Sequence, residues 1–228
     1  MNRRGAPGSG CQASTFSQNI MSFLQRIFGK SAAPAAVTGS FREVLDQKAK
    51  CLTDGSPLNN HKRCFAVLMP VNLFAYSEGN PVSGLAKYTS DSCLFELACY
   101  SLFSTDMWSF GNTPQIRETV QPILSGQISH ICEVSGLLAE GDAYSLMNSR
   151  LEVYGGVASR NPSAEGLHLR LKQALYAASE TAKPARSSID KVSITDAFSD
   201  LELTKALVAW DMKRMPMMDG LLRAIEIK

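Results

Sequence analysis

The side chains best suited to proton transfer, nucleophilic attack or metal binding in this 228-residue chain are three histidines and six cysteines. The histidines are His61, His130 and His168; the cysteines are Cys11, Cys51, Cys64, Cys93, Cys99 and Cys132. Their spacing assembles no site. There is no C-x-x-C and no Cys/His set at zinc spacing. His130 and Cys132 are close in sequence, but residues two apart do not face each other on a helix. His168 falls on the polar side of an alternating run, and Asp190-Lys191 and Asp211 with Lys213 read as solvated charges. No G-x-S-x-G, Walker A, G-x-G-x-x-G or H-E-x-x-H occurs. The residues therefore point to no catalytic centre, no metal, no cofactor and no small-molecule substrate. Cys64, Cys93 and Cys99 lie in apolar stretches and read as small hydrophobes, reduced in a cytosolic compartment.

Charge distribution points to association instead. The net charge is only +2, yet residues 1–40 hold Arg3, Arg4, Arg26 and Lys30 and no acid, which leaves the rest slightly acidic. A cationic arm favours an anionic partner. Within it, Phe16, Ile20, Phe23, Leu24, Ile27 and Phe28 stand at offsets 0, 4, 7, 8, 11 and 12, one face of a helix spanning 15–29 and ended by Gly29. The Gly/Ser/Pro/Arg-rich start and the linker Ser31–Gly39 fence it on both sides and read as poorly ordered. The candidate membrane- or partner-binding residues are thus Arg3, Arg4, Phe16, Ile20, Phe23, Leu24, Arg26, Ile27, Phe28 and Lys30. No apolar h-region opens the chain, so no signal peptide is expected.

The expected body, residues 40–228, is one domain following the flexible basic arm 1–39. Ser40-Phe41-Arg42-Glu43 is a capping-box signature for a helix through about Leu52. Asp54-Gly55-Ser56-Pro57 reads as a turn. Arg63 to Tyr76, R-C-F-A-V-L-M-P-V-N-L-F-A-Y, is the most continuously apolar run; it is too short and broken to span a bilayer and reads as a strand, or a bent strand pair, buried in the core. Ser90 or Asp91 caps a helix to about Phe103, and Thr113-Pro114 opens another. Helical pieces from Ile123 to Met147 are expected to join at Gly126 and Gly141. Leu151-Glu152-Val153 and Leu167-His168-Leu169-Arg170-Leu171-Lys172 alternate as strands, the latter competing with a helix on Leu167, Leu171 and Leu175. Ser199 to Met212 reads as a helix ended by Pro216 and Gly220, and Ile225-Glu226-Ile227 as a final strand. The expected fold is α+β: a small, mostly antiparallel sheet packed with a few helices.

Phe198-Ser199-Asp200-Leu201, Lys205-Ala206-Leu207, the pair Lys213-Arg214 and the end at Lys228 resemble the C-terminal part of rhabdovirus matrix proteins of the vesiculovirus type. Ser22 to Lys30 resembles that family's amphipathic start, Arg63 to Ala75 its first core strand, Tyr88-Thr89-Ser90-Asp91 its strand-to-helix entry, and Gly166 to Leu171 a later strand. The Lys-dense start and the P-P-x-Y and P-[ST]-A-P budding motifs of that family are missing. The resemblance implies a structural protein of the virion that self-assembles into a homo-oligomer lattice. It implies binding to an anionic membrane surface at the cytoplasmic face of the host membrane and condensation of a viral ribonucleoprotein for budding. The alternative is a cytosolic adaptor or chaperone-like module docking a protein partner through the arm helix; an enzyme of unrecognised type is the third reading.

Overall fold

The computed structural model describes residues 39–77, 80–160, 164–181 and 200–227. Seven α-helices account for most of these residues: α1 Phe41–Lys50, α2 Asn60–Leu73, α3 Asp91–Asn112, α4 Pro114–Val134, α5 Glu140–Arg160, α6 Ala164–Thr181 and α7 Leu201–Arg223. A 3-10 helix, Ser83–Tyr88, leads into α3. The β structure among them is one two-residue antiparallel ladder, β1 Tyr76–Ser77 with β2 Asn80–Pro81, in the register Tyr76↔Pro81. The α+β expectation is therefore overturned: the body is a helical bundle.

The helix starts follow local capping chemistry. Ser40 closes its capping box: its hydroxyl accepts from Glu43 N at 3.3 Å, and Glu43 Oε2 accepts from Ser40 N at 2.8 Å. Asn59 caps α2 by accepting from Lys62 N, Ser90 caps α3 by accepting from Cys93 N, and Pro114 opens α4. In the turn before α2, Asp54 Oδ1 accepts from Ser56 N at 2.9 Å.

The supposed central strand is α2. Nine consecutive residues, Cys64–Asn72, are buried, so no polar face breaks the run and no helical period shows in the sequence. Its C-terminal carbonyls are satisfied from elsewhere in the fold. Trp210 Nε1 donates to Pro70 O at 2.7 Å, Arg42 Nη1 donates to Asn72 O at 2.7 Å, and Phe74 N donates to Val71 O.

α3 is the hub, touching each of the other six helices. It is buried on every side through Phe103 and runs nine residues beyond that expected end. The break between α4 and α5 falls at Gly136, not at Gly126 or Gly141, because Gly136 adopts φ 68° and so lets Leu137 N turn back to Cys132 O at 3.0 Å.

Both alternating segments are helical. Leu151-Glu152-Val153 lies inside α5, whose inward positions Ala143, Leu146, Met147, Arg150 and Tyr154 keep a helical period. Leu167–Lys172 lies inside α6: Leu171, Ala174, Leu175 and Ala178 form its buried face, Leu169 is only half-buried, and Lys172 is buried rather than outward. Leu167 packs against the core with them, as the competing helical reading has it. Residues 225–227 form no strand; Asn60 Nδ2 donates to Glu226 O and Glu226 N donates to Asn60 Oδ1, tying them to the start of α2.

Candidate functional site: the two faces of the last helix

α7 starts where Asp200 Oδ1 accepts from Leu203 N at 2.9 Å. The other oxygen of Asp200 takes the Tyr88 hydroxyl at 2.8 Å and Lys87 Nζ at 3.1 Å. The helix continues through Pro216 and Gly220 to Arg223, past its expected end. Its inward residues, Leu203, Leu207, Trp210, Arg214, Met218, Leu221 and Leu222, seat it on the core.

A polar ladder runs along that inward side. Lys172 Nζ donates to Thr204 Oγ1 at 2.7 Å. Asp211, read from sequence as solvated, is held on several sides. His168 Nε2 lies 2.5 Å from its Oδ2, the Tyr100 hydroxyl donates to the same oxygen at 3.3 Å, and Arg214 Nε and Nη2 donate to Oδ1 at 3.0 and 2.6 Å. Arg214 is buried; it also reaches Ser104 Oγ at 3.1 Å and lies 4.7 Å from the Trp210 ring centroid and 5.2 Å from that of Tyr100. Further along, the Thr105 hydroxyl meets Met218 Sδ and Trp108 Nε1 donates to Asp219 Oδ1 at 2.9 Å. Burial pushes the Asp211 carboxyl up, but the bond from His168 and the charge of Arg214 outweigh it and hold the carboxyl below its ordinary range. An ionised carboxylate only accepts, so His168 Nε2 carries the proton it shares.

This is the chemistry of a brace. A carboxylate-oriented imidazole is half of a nucleophile-activating pair. Among the described residues, however, no serine, threonine or cysteine joins His168. No three of His, Cys, Asp and Glu converge as a metal cage among them either. A second charged pair, Glu96 with Arg150, is sealed in the core between α3 and α5.

The outward side of α7 is not polar. Leu201, Val208, Met212 and Met215 are 61%, 43%, 74% and 40% exposed. Their offsets of 0, 7, 11 and 14 put them on one stripe. Lys205 and Glu202 flank one end as an exposed ion pair, and Asp219 and Arg223 flank the other. At these exposures the four side chains present roughly 400 Å² of apolar surface, the size of the largest apolar patches on monomeric proteins.

No protein-family model, curated protein or solved structure matches this chain.

With a helical bundle in place of the expected sheet and no match to any matrix protein, the matrix-protein resemblance fails. The roles it implied in the virion, in membrane attachment and in ribonucleoprotein condensation fall with it. No helix among the described residues is long and apolar enough to cross a membrane. The candidate binding residues Arg3, Arg4, Phe16, Ile20, Phe23, Leu24, Arg26, Ile27, Phe28 and Lys30 lie outside the described residues. The residues that sequence reasoning missed are His168, Asp211 and Arg214, together with the stripe Leu201–Met215. The stripe had a legible signal in its offsets, hidden by ending the helix before Pro216.

Proposed function

We propose that this protein works by contact rather than by catalysis, and that its working surface is the outward stripe of α7, occupied by the same stripe of a second copy. The exposed stripe on a helix otherwise locked to the core carries this reading. Met is well suited to such a surface, because its thioether adapts to the opposing shape.

Charge favours a two-fold, antiparallel pairing centred on Met212. In that register Met212 meets its counterpart, Val208 meets the partner's Pro216, and Met215 meets the partner's Ala209, a small residue that allows close approach. Lys205 then faces the partner's Asp219, and Leu201 stands opposite the partner's Arg223 with Glu202 beside it. The exposed intrachain pairs Lys205–Glu202 and Asp219–Arg223 can open into this arrangement at little cost. An isologous contact of this kind closes on itself and gives a dimer rather than a lattice. Roughly 800 Å² of apolar surface plus the charged flanks lies at the weak end of specific interfaces, so the dimer is expected to be reversible in the micromolar to millimolar range.

Sedimentation of the full chain over a concentration series tests this. The wild-type protein is expected to shift from monomer towards dimer, and Met212→Asp to remain monomeric with an unchanged thermal melt. Lys205→Glu is expected to weaken the dimer most at low salt. A Met212→Asp chain that sediments like the wild type at every concentration overturns the reading.

A further inference from the structure

We propose that Met212 and Met215 make the α7 stripe a modification site for peroxide, and that oxidation of these two thioethers to sulfoxides separates the paired copies. This rests on the proposed role of the stripe as the working surface.

Thioethers are concentrated on this helix. Four of the chain's nine methionines, Met212, Met215, Met217 and Met218, fall within seven consecutive residues. The fold sorts them by access. Met212 and Met215 are exposed on the stripe, and Met217 is half-buried. Met218 points inward, where the Thr105 hydroxyl lies 3.4 Å from its Sδ and Arg214 Nη1 lies 3.9 Å from it. Met69 in α2 and Met147 in α5 are buried as well. Outside the stripe, Met107 on α3 is as exposed as Met215. The oxidant must reach sulfur, so Met212, Met215 and Met107 react and Met69, Met147 and Met218 are spared.

The step balances with hydrogen peroxide as its co-reactant. A sulfur lone pair attacks one peroxide oxygen, and an S–O bond forms as the O–O bond breaks. The proton on the transferred oxygen passes to the leaving hydroxide, which departs as water. Sulfur loses two electrons and peroxide gains them.

The sulfoxide is polar where the thioether was apolar. In the two-fold register centred on Met212, each oxidised sulfur meets its own counterpart. The partner's Val208, Ala209, Met215 and Pro216 surround it and carry no side-chain donor. A sulfoxide oxygen there gives up water and gains no hydrogen bond in return. Symmetry sets two such oxygens at the centre of every dimer, so the dissociation constant is expected to rise at least about tenfold.

Pairing in turn covers the sulfurs, so Met212 oxidises from the free protomer. At a protomer concentration about ten times the dissociation constant, roughly one-fifth of the protomers are free, and Met212 oxidation slows about fivefold relative to high dilution. Met107 stands outside the contact, and its oxidation keeps one rate throughout.

The test treats the full chain with hydrogen peroxide, quenches with catalase, maps sulfoxides by peptide mass spectrometry and measures the dissociation constant by sedimentation. Wild type, Met212→Leu with Met215→Leu, and Met107→Leu are each compared with themselves before and after peroxide. Expected in the wild type are sulfoxides at Met212 and Met215, an unchanged thermal melt and a dimer weakened at least about tenfold. Met107→Leu is expected to respond like the wild type, and the Met212/Met215 variant to change less than about twofold. Met212 oxidising equally fast at every concentration of a dimerising wild type overturns the inference. So does full conversion of Met212 and Met215 with the dissociation constant unchanged, or a Met212/Met215 variant weakened as much as the wild type. A melt lowered by peroxide places the lesion in the core and also overturns it. In these cases self-association stands. A wild type that is monomeric at every concentration before peroxide overturns the self-association reading itself, and the inference falls with it.

Discussion

Replacing Glu96 by leucine while Arg150 stays in place is expected to destabilise the body strongly. Arg150 Nε and Nη2 each donate at 2.7 Å to the two oxygens of the Glu96 carboxylate, and the two side chains are 3% and 0% exposed. An exposed pair would contribute only about 0.2–1 kcal/mol. Here the guanidinium that loses Glu96 stays buried and cannot shed its proton. Burial favours its neutral form, but the bonds and charge of Glu96 hold its pKa above the ordinary arginine value while the pair is intact. Breaking a buried pair on one side costs about 3–5 kcal/mol. For a domain of this size each kcal/mol moves Tm by about 2–4 °C, so the variant should melt about 6–20 °C lower. Replacing both partners removes both desolvation penalties, so Glu96→Leu with Arg150→Met is expected within about 1–2 kcal/mol of the wild type or above it. Arg150→Met alone should lose less than Glu96→Leu, because a stranded carboxyl can take up a proton. Urea unfolding of the four proteins, with slopes compared, gives the cycle directly. A double variant as unstable as the sum of the singles refutes this reasoning, as does a Glu96→Leu loss below about 1 kcal/mol.

Acid should act in part through Asp211. Its folded carboxyl is held below the ordinary range, so its contribution to stability is fully present above the unfolded value near about 4 and is lost as pH falls through the folded value. Unfolding curves of Asp211→Asn should therefore show a shallower loss below that pH than the wild type. Burial pushes the thiols of Cys64 and Cys132 up to about 12 and that of Cys93 up to about 11, and raises Cys99 well above its ordinary value, whereas Cys51 is exposed. Brief iodoacetamide treatment followed by mass spectrometry should label Cys51 and spare those four. The Tyr154 hydroxyl is fully buried without a hydrogen-bond partner among the described residues, so Tyr154→Phe is expected to leave Tm unchanged or raise it by a few degrees, to about 1 kcal/mol, in calorimetry.

The signals that survived from sequence to structure are those written in a few adjacent residues. The capping box at Ser40, the cap at Ser90 and Pro114 at a helix start need no knowledge of the rest of the fold. Signals that depend on burial misled. α2 and α3 are covered on every side, so α2 lost the polar stripe that marks a helix and resembled an apolar strand. In α6 the two-residue alternation of Leu167, Leu169 and Leu171 is incidental, because Lys172 runs its stem inward to reach Thr204. Pro216 read as a stop, yet it lies on the exposed side of α7, where water can serve the Met212 carbonyl it leaves unpaired. The His168–Asp211 bond joins residues 43 apart on two helices, and nothing local to either announces the other.

The bond from Trp210 to Pro70 spans 140 residues, and those between Asn60 and Glu226 span 166. On a ribosome adding about 5–20 residues per second, α7 follows α2 by roughly 7–28 s. Throughout that interval the nine residues Cys64–Asn72 have been made and the helix that caps their last turn has not. α1, α3 and α4, which also pack on α2, are made before α7, so it is the α7-facing side of α2 that waits for its cover. A chain stalled before Trp210 would leave that side of α2 open to water and the Pro70 carbonyl without its indole donor.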